Sequence, residues 1–254
     1  MHRQRNYANP PVVEALCDIR FAPGQEWDWT IPGLLYAELQ GDFPQKEQTE
    51  AIAVRVEQGL APQQVPSRRL RFFNEERTTL IQVGEDTLVV NCLRPYIGWH
   101  NFRPMIASAL EKYRSIAKPA GVASCSLRYI NKIEFAERTV VIEDYLNTYP
   151  QMPANLPDHV VGWSLTLDVP APSGLMRLQA GATSPEEGRA FIIDLRFIAV
   201  EPEKLDLAEA LLQWIDGAHD IIEQTFEASI TDKTRELFHE ISEKEVAHDR
   251  LAIG

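Results

Sequence analysis

Arginines on candidate strands are the residues of this sequence best suited to bind a ligand. The segments Asp18-Ile19-Arg20-Phe21 and Asp194-Leu195-Arg196-Phe197 share one pattern, and Cys125-Ser126-Leu127-Arg128-Tyr129 repeats its arginine and aromatic residue. Because successive side chains of a strand alternate between its two faces, each arginine shares a face with the polar residue two positions before it. A guanidinium is a rigid fork of donors that suits a carboxylate or a phosphate.

We predict that these arginines converge on one surface and form the binding site of the protein. Two polar residues that follow Arg128 would extend this surface. The predicted binding residues are Arg20, Arg128, Arg196, Asn131 and Lys132. The alternative is a ladder of ion pairs on a solvated sheet face, in which Asp18 and Asp194 neutralise the arginines and no ligand is bound.

A second basic cluster mixes cations with aromatic rings. It consists of Arg68, Arg69 and Arg71, followed by Phe72 and Phe73. Proteins that bind single-stranded nucleic acid combine these residue types, whereas a strand with one charged face is the simpler interpretation. The whole net charge of −12 falls on residues 121–254, because the positive and negative charges of residues 1–120 cancel. An acidic half repels phosphate, which argues against nucleic acid as the partner.

The common catalytic and cofactor motifs are missing from the sequence. His239-Glu240 starts like the helical zinc motif, but Glu243 stands where the second histidine is needed. The chain has no glycine-rich phosphate loop, no Gly-x-Ser-x-Gly turn and no Cys-x-x-Cys pair. His219 lies beside the apolar stripe of a predicted helix and is interpreted as a packed or capping residue. We therefore predict no catalytic residue, no metal ligand, no cofactor and no enzymatic activity.

Two copies of one structural unit are indicated by matches that occur in the same order. Cys17 and Cys125 begin equivalent strand patterns, and a short helical stretch follows each of them. Alternating segments then lead to a long amphipathic helix in each copy, with apolar residues three and four positions apart. We predict an α+β fold of tandem β-α-β(3-4)-α units, with an antiparallel sheet backed by long helices. This order of elements is similar to that of the TATA-binding-protein-like folds.

The predicted organisation has three parts. Residues 1–120 form the first β-α-β-α half, residues 121–230 form the second pseudo-symmetric half, and residues 231–254 form a helical or partly disordered tail. The break falls at Lys118-Pro119-Ala120-Gly121, which ends a helix.

Composition places the protein among cytoplasmic proteins without a membrane span. The sequence of 254 residues has no apolar run of the roughly 18 residues that a span requires. Its basic start leads into Asn9-Pro10-Pro11 without the apolar region of a signal peptide. The three cysteines, Cys17, Cys92 and Cys125, lie in apolar strand patterns, which favours buried, reduced thiols.

Two motifs resemble those of a known protein family. They are Asn9-Pro10-Pro11-Val12-Val13-Glu14-Ala15 near the start and Leu127-Arg128-Tyr129-Ile130-Asn131-Lys132-Ile133 in the middle. The sequence is similar to a sporadically distributed bacterial family of uncharacterised proteins of about this length. This resemblance implies a bacterial protein that occurs sporadically, as accessory and defence proteins often do. It supplies no catalytic residues.

The sequence thus favours a non-catalytic binding or adaptor protein of a bacterial accessory system, with a protein as its partner. Two alternatives stay open: a small-ligand-binding protein with a cavity between sheet and helix, and a binder of single-stranded nucleic acid at Arg68 to Phe73. A small-molecule ligand fits the first alternative.

Overall fold

The computed structural model of the chain describes residues 5–24, 26–55, 63–136, 140–151, 153, 155, 162–183 and 189–241. The strands are β1 (Asn6–Tyr7), β2 (Val12–Ala22), β3 (Gln45–Arg55), β4 (Gln63–Phe73), β5 (Thr79–Gly84), β6 (Thr87–Leu93), β7 (Gly121–Glu134), β8 (Ser164–Ala171), β9 (Gly174–Ala182), β10 (Ala190–Ala199) and β11 (Glu240–Ile241). The helices are α1 (Thr30–Leu39), α2 (Trp99–Ala117), α3 (Ile142–Tyr145), α4 (Glu209–Ser229) and α5 (Asp232–Phe238).

The predicted α+β class is confirmed, because the described residues form a large antiparallel sheet and five helices. No helix among them is both long and apolar enough to cross a membrane. The contacts divide the chain into two compact units. The central unit holds Glu14–Leu127 and Ile198–Gly217, and the terminal unit holds Met1–Val13, Arg128–Phe197 and Ala218–Gly254. The predicted boundary near residues 118–122 separates two copies of a sequence pattern, which is a different property from a division by contacts. It stays a prediction.

The central unit contains the strand order β3-β4-β5-β6-β2, joined by antiparallel pairs. Helix α2 forms because its apolar residues recur every three or four positions and bury one stripe. The buried residues of this stripe are Phe102, Ile106, Ala109, Leu110, Tyr113 and Ala117. The ring of Tyr113 stacks on Phe21 of β2, with ring centroids 4.5 Å apart. The sequence prediction of this helix and its buried face is confirmed.

The three cysteines are free and buried, as the sequence predicted. The thiols of Cys17 and Cys125 are neighbours within the central unit. Burial raises the pKa of the Cys125 thiol well above its ordinary value, and the neighbouring Cys17 and Asp18 act in the same direction. These thiols behave as small apolar core residues rather than as nucleophiles.

The terminal unit contains the strand order β7-β10-β9-β8 and a separate two-stranded sheet of β1 and β11. Asn6 pairs with Ile241 and Tyr7 with Glu240. The segment predicted as a tail is therefore helix α5 and strand β11 as far as residue 241, and residues 242–254 lie outside the described residues. Sequence patterns did not predict β1 or β11, because a two-residue strand has no periodicity to detect.

Among the described glycines of the central unit, Gly24 lies closest to other backbone atoms. A Cβ atom at this position would lie 2.4 Å from the carbonyl oxygen of Lys118 and 2.7 Å from the backbone nitrogen of Ala120. These atoms belong to the turn that ends α2, where Lys118 adopts the left-handed conformation. Gly24 is therefore required for space, because rigid backbone cannot move aside as a flexible side chain can.

We predict that Gly24→Ala lowers the free energy of unfolding by about 1–3 kcal/mol, because the methyl group overpacks a backbone contact. Gly33→Ala is the matched control, since a Cβ atom at Gly33 in α1 meets nothing within 4 Å. That variant should gain up to about 1 kcal/mol from its higher helix propensity. Urea unfolding of both variants tests the prediction, and equal effects would contradict it.

Candidate functional site

The strand arginines of the predicted site have different environments. Arg128 and Asp194 form a two-pronged ion pair in the terminal unit, with Arg128 Nε 2.7 Å from Asp194 Oδ1. Arg196 is half-buried on β10 of the same unit, and Arg20 is exposed on β2 of the central unit. The pair of Arg128 with Asp194 agrees with the ladder alternative. Convergence of all three arginines stays a prediction.

The two polar residues that were to extend this surface make local contacts. Asn131 is buried, and its side-chain amide donates to the carbonyl oxygen of Ile193 over 3.1 Å. This bond satisfies a polar group in the core, as buried amides require. Lys132 forms an ion pair with Glu134 over 3.1 Å. Both contacts are those of structural residues.

The basic cluster lies on β4, where Arg68, Arg69 and Arg71 follow one another. Arg68 pairs with Glu50 of β3, with Nε 3.1 Å from Oε1, and both side chains are well exposed. Arg71 donates from Nε to Gln82 Oε1 over 3.3 Å. Cross-strand contacts of this kind are typical of a sheet with one charged face.

The rings beside this cluster belong to the core. Phe72 and Phe73 are buried, with 1% and 6% of their surface exposed. Phe72 contacts Tyr36 of α1 at a centroid distance of 5.2 Å, and the guanidinium of Arg77 lies 3.9 Å above the Phe73 ring. Binding to single-stranded nucleic acid depends on bases that stack on accessible rings. These two rings are not accessible for that purpose.

A cluster of ionisable residues on α4 was not predicted from the sequence. The α4 cluster consists of His219, Asp220, Glu223 and Glu227 in the terminal unit. Three of these residues are spaced four apart, at positions 219, 223 and 227, so they lie along one face of the helix. That spacing is the signal that could have identified them. The signal is weak in the sequence because the cluster holds one histidine and not a pair, and because charged residues are expected on exposed faces.

Glu227 is a buried carboxylate whose charge is compensated by three side chains. Only 5% of the residue is exposed. Tyr7 donates its hydroxyl proton to Glu227 over 2.7 Å, Arg235 Nε lies 2.9 Å away, and Arg5 Nε lies 3.6 Å away. Burial and the bond to Glu227 raise the pKa of Tyr7. Burial of a charge is tolerated where donors of this kind replace water.

Glu223 lies one turn before Glu227 and lacks comparable compensation. Burial raises the pKa of Glu223 to about 7, and the negative charges of Asp220 and Glu227 act in the same direction. The nearby backbone N–H of Arg5 acts in the opposite direction and lowers the pKa in part. No Lys or Arg side chain of the described residues pairs with Glu223 or Asp220. Negative charge is thus concentrated at this point of α4.

His219 completes the α4 cluster and is buried, which agrees with the first of the two predicted roles, a packed or a capping residue. Its Nδ1 lies 3.2 Å from the hydroxyl oxygen of Tyr129 on β7, and its Nε2 lies 3.9 Å from Glu223 Oε2. One ligand atom each of His219, Asp220 and Glu223 lies within 4.8 Å of the others. This arrangement brings one imidazole and two carboxylates to one point, which is a donor set that metal ions bind.

An open cleft of about 500 Å³ lies in the same unit, between α5 and the strand pair of β1 and β11. The lining residues are Arg5, Asp232, Arg235, Glu236, His239 and Glu240. Both arginines contact carboxylates: Arg5 donates to Glu240 over 2.6 Å, and Arg235 donates to Asp232 over 2.7 Å. The cleft is open to solvent, unlike the enclosed cavity between sheet and helix that the small-ligand alternative predicts.

The cleft carries an excess of negative charge. Its two guanidiniums contact the carboxylates of Asp232 and Glu240, and both also contact Glu227 beneath them. Glu236 is exposed, and it makes no ion pair within the described part of the chain. Four carboxylates therefore surround two guanidiniums, so an incoming positive group is favoured over an anion.

Comparison with known proteins gives no further guide, because no protein-family model and no curated protein matches the sequence. The α4 cluster and the cleft are therefore interpreted from their geometry and charge.

We predict that Tyr7→Phe lowers the free energy of unfolding by about 1–3 kcal/mol. The substitution removes one donor to the buried Glu227 carboxylate, and a buried charge that loses a hydrogen bond retains its desolvation penalty. Tyr149→Phe is the control, because Tyr149 is half-buried in the terminal unit and does not contact Glu227. Denaturant unfolding of both variants is the measurement, and an equal loss in both would contradict the prediction.

We predict that Glu223 makes the protein less stable as the pH rises from about 4.5 to about 7. The folded state keeps the proton that the unfolded state has already released in this range, so the free energy of unfolding falls with rising pH. Glu223→Gln removes this dependence and should raise stability at pH 8 by about 1–3 kcal/mol relative to the native protein.

The control for this prediction is Glu143→Gln on α3, which removes an exposed carboxylate from the same unit. Its effect should stay within about 0.5 kcal/mol at every pH. Unfolding curves recorded between pH 4 and pH 8 give both results. Lower stability of Glu223→Gln at pH 8 would contradict the prediction.

Proposed function

We propose that the protein is a non-catalytic adaptor that binds a basic segment of a protein partner in the cleft lined by α5, β1 and β11. The observation that carries this proposal is the charge of the cleft, in which two guanidiniums already contact three carboxylates and a fourth carboxylate, that of Glu236, is exposed. A Lys or Arg side chain of a partner supplies the positive charge that this arrangement lacks.

The size and openness of the cleft suit a protein segment. Its volume of about 500 Å³ lies within the range of ligand-binding sites, and every residue that lines it carries an ionisable side chain. Small-molecule sites are mostly apolar and enclosed, whereas polar and solvent-accessible surfaces form the rims of protein interfaces. A basic side chain can enter such a cleft while its backbone stays at the surface.

The distribution of charge over the chain favours the same kind of partner. The net charge of −12 falls on residues 121–254, to which α5 and β11 belong. A surface with this excess of one sign raises the rate of encounter with a partner of opposite sign, most strongly at low ionic strength. Binding of a basic segment should therefore weaken with added salt.

The proposed setting is a bacterial accessory system, such as a defence system, in the cytoplasm. The segments from Asn9 to Ala15 and from Leu127 to Ile133 resemble motifs of a sporadically distributed bacterial family. This resemblance supports a bacterial accessory system. The free, buried state of Cys17, Cys92 and Cys125 supports a reducing compartment.

We also propose that the fold is a tandem duplication with a topology like that of the TATA-binding-protein-like folds. The order of elements supports this: β2 is followed by α1, four strands and α2, and β7 is followed by α3, three strands and α4. Cys17 and Cys125 lie in the first strand of each series. The duplication explains the architecture, and the adaptor function does not depend on it.

We predict that partner binding weakens when one exposed negative charge of the cleft is neutralised, and weakens further when that charge is reversed. The full chain is used to isolate its partner from the source organism, and the dissociation constant of the purified partner is then measured at two salt concentrations. Glu236→Gln should weaken binding, and Glu236→Lys should weaken it further, on the order of tenfold or more. The matched controls are Glu75→Gln and Glu75→Lys, which change an exposed charge in the central unit.

Three results would overturn this proposal. They are a partner without a basic segment, equal losses in the Glu236 and Glu75 series, and binding that does not respond to salt. Recovery of a small molecule alone, or of single-stranded nucleic acid whose binding requires Arg69, would instead support one of the two alternative functions. Thermal unfolding of each variant establishes that it remains folded.

A further inference from the structure

We propose that His219, Asp220 and Glu223 of α4 form a binding site for one divalent transition-metal ion, of which Zn²⁺ is the best fit. The three residues belong to one helix of the terminal unit and differ from the residues that line the cleft. The metal site and the adaptor function can therefore fail independently.

The spacing of the ligands is set by the helix. His219 and Glu223 are four residues apart and therefore lie on the same face, one turn from each other. Two ligands of an ion, each about 2.1 Å from it, lie at most about 4.2 Å apart. His219 Nε2 and Glu223 Oε2 are already 3.9 Å apart, and Asp220 completes a group whose ligand atoms lie within 4.8 Å of one another. A small rotation of the exposed Asp220 side chain closes the set.

The imidazole is held in the orientation that a ligand needs. The hydroxyl oxygen of Tyr129 lies 3.2 Å from His219 Nδ1, and the two rings pack with their centroids 5.8 Å apart. In a metal complex through Nε2, Nδ1 carries the proton and donates it to this oxygen. Contacts of this kind fix the tautomer and ring direction of metal-bound histidines. Tyr129 is therefore a positioning residue for the site.

The second ligand is also held before any ion binds. The backbone N–H of Arg5 lies near the Glu223 carboxylate, and the helix fixes the Cα position of Glu223 relative to His219. Asp220 remains exposed, which gives an ion a path from solvent. Less side-chain freedom is therefore lost on binding than in a site of three exposed residues.

The charges of the α4 cluster favour a dication between Asp220 and Glu223, and not one helical turn later at Glu227. Glu227 is compensated by Tyr7, Arg5 and Arg235. Asp220 and Glu223 have no such Lys or Arg partner among the described residues, and the two carboxylates repel each other. An ion of charge two between them offsets both carboxylates and is coordinated by the nitrogen of His219 as well.

The donor set indicates the class of metal. One imidazole nitrogen and two carboxylate oxygens suit Zn²⁺ and related first-row ions, whereas Mg²⁺ and Ca²⁺ prefer oxygen ligands alone. Among these ions, Zn²⁺ binds nitrogen and oxygen donors more tightly than Mn²⁺ does. Three protein ligands leave at least one position for water, so the site resembles an open zinc site more than a closed structural one.

Zn²⁺ binding to the full chain, freed of metal by a chelator, tests this proposal by isothermal titration calorimetry. The expected result is one ion per chain, with Mg²⁺ bound at least tenfold more weakly than Zn²⁺. Asp220→Asn and Glu223→Gln should each weaken Zn²⁺ binding tenfold or more. Tyr129→Phe should weaken it about tenfold with the ratio of one ion unchanged, because it alters orientation and removes no ligand.

The controls are Glu143→Gln and His100→Gln, which remove an exposed carboxylate and an exposed histidine elsewhere. Both should bind Zn²⁺ like the native protein. Substitution of His219 risks the fold because the residue is buried, so the nitrogen ligand is identified in the native protein from the electron paramagnetic resonance spectrum of bound Cu²⁺. The proposal is wrong if no ion binds, if the Asp220 and Glu223 variants bind normally, or if a control variant loses the site.

Discussion

The buried carboxylate of Glu227 is the constraint on which the terminal unit depends. A charge with 5% of its residue exposed is tolerated only where donors replace the lost water, and those donors come from distant parts of the sequence. Tyr7 and Arg5 approach from the side of β1, and Arg235 approaches from α5. One ionised group therefore fixes the positions of two elements relative to α4. The same arginines line the cleft, so the arrangement that satisfies Glu227 also sets the charge of the proposed partner surface.

Two successive turns of α4 show opposite solutions to the same electrostatic problem. At Glu227 the chain supplies its own cations, and the group serves the fold. At Glu223 the chain buries the carboxylate beside other negative charges, and both effects raise the pKa of Glu223 to about 7. A fold that serves stability alone has no need of the second arrangement, because a glutamine there avoids the repulsion. This contrast separates a structural carboxylate from one that is available to a ligand.

The sequence predicted those elements whose side chains repeat with a period. The long amphipathic helix α2 was predicted because its apolar residues recur every three or four positions, with the turn of a helix. The cleft could not be found in this way, because its residues come from both ends of the described chain and share no period. His219 was expected to be a packed or capping residue from its place beside the apolar stripe, whereas its contact with Tyr129 depends on tertiary packing. Arg128 shows a further limit: its pattern revealed a polar strand face, but only the structure shows that Asp194 lies within reach.

The pairing of β1 with β11 has a consequence for synthesis on the ribosome. Arg5 and Glu240 are 235 residues apart in the sequence, and their contact cannot form until β11 has left the exit tunnel. Until then the nascent chain holds Glu227 without Arg235, and the N-terminal strand has no partner. Contacts of such long sequence separation form slowly, so the terminal unit is expected to acquire its structure only after the whole span from β1 to β11 has been synthesised. During that interval the unpaired strand β1 and the apolar face of α4 are open to chaperones, and this is the stage at which the terminal unit is most exposed to misfolding.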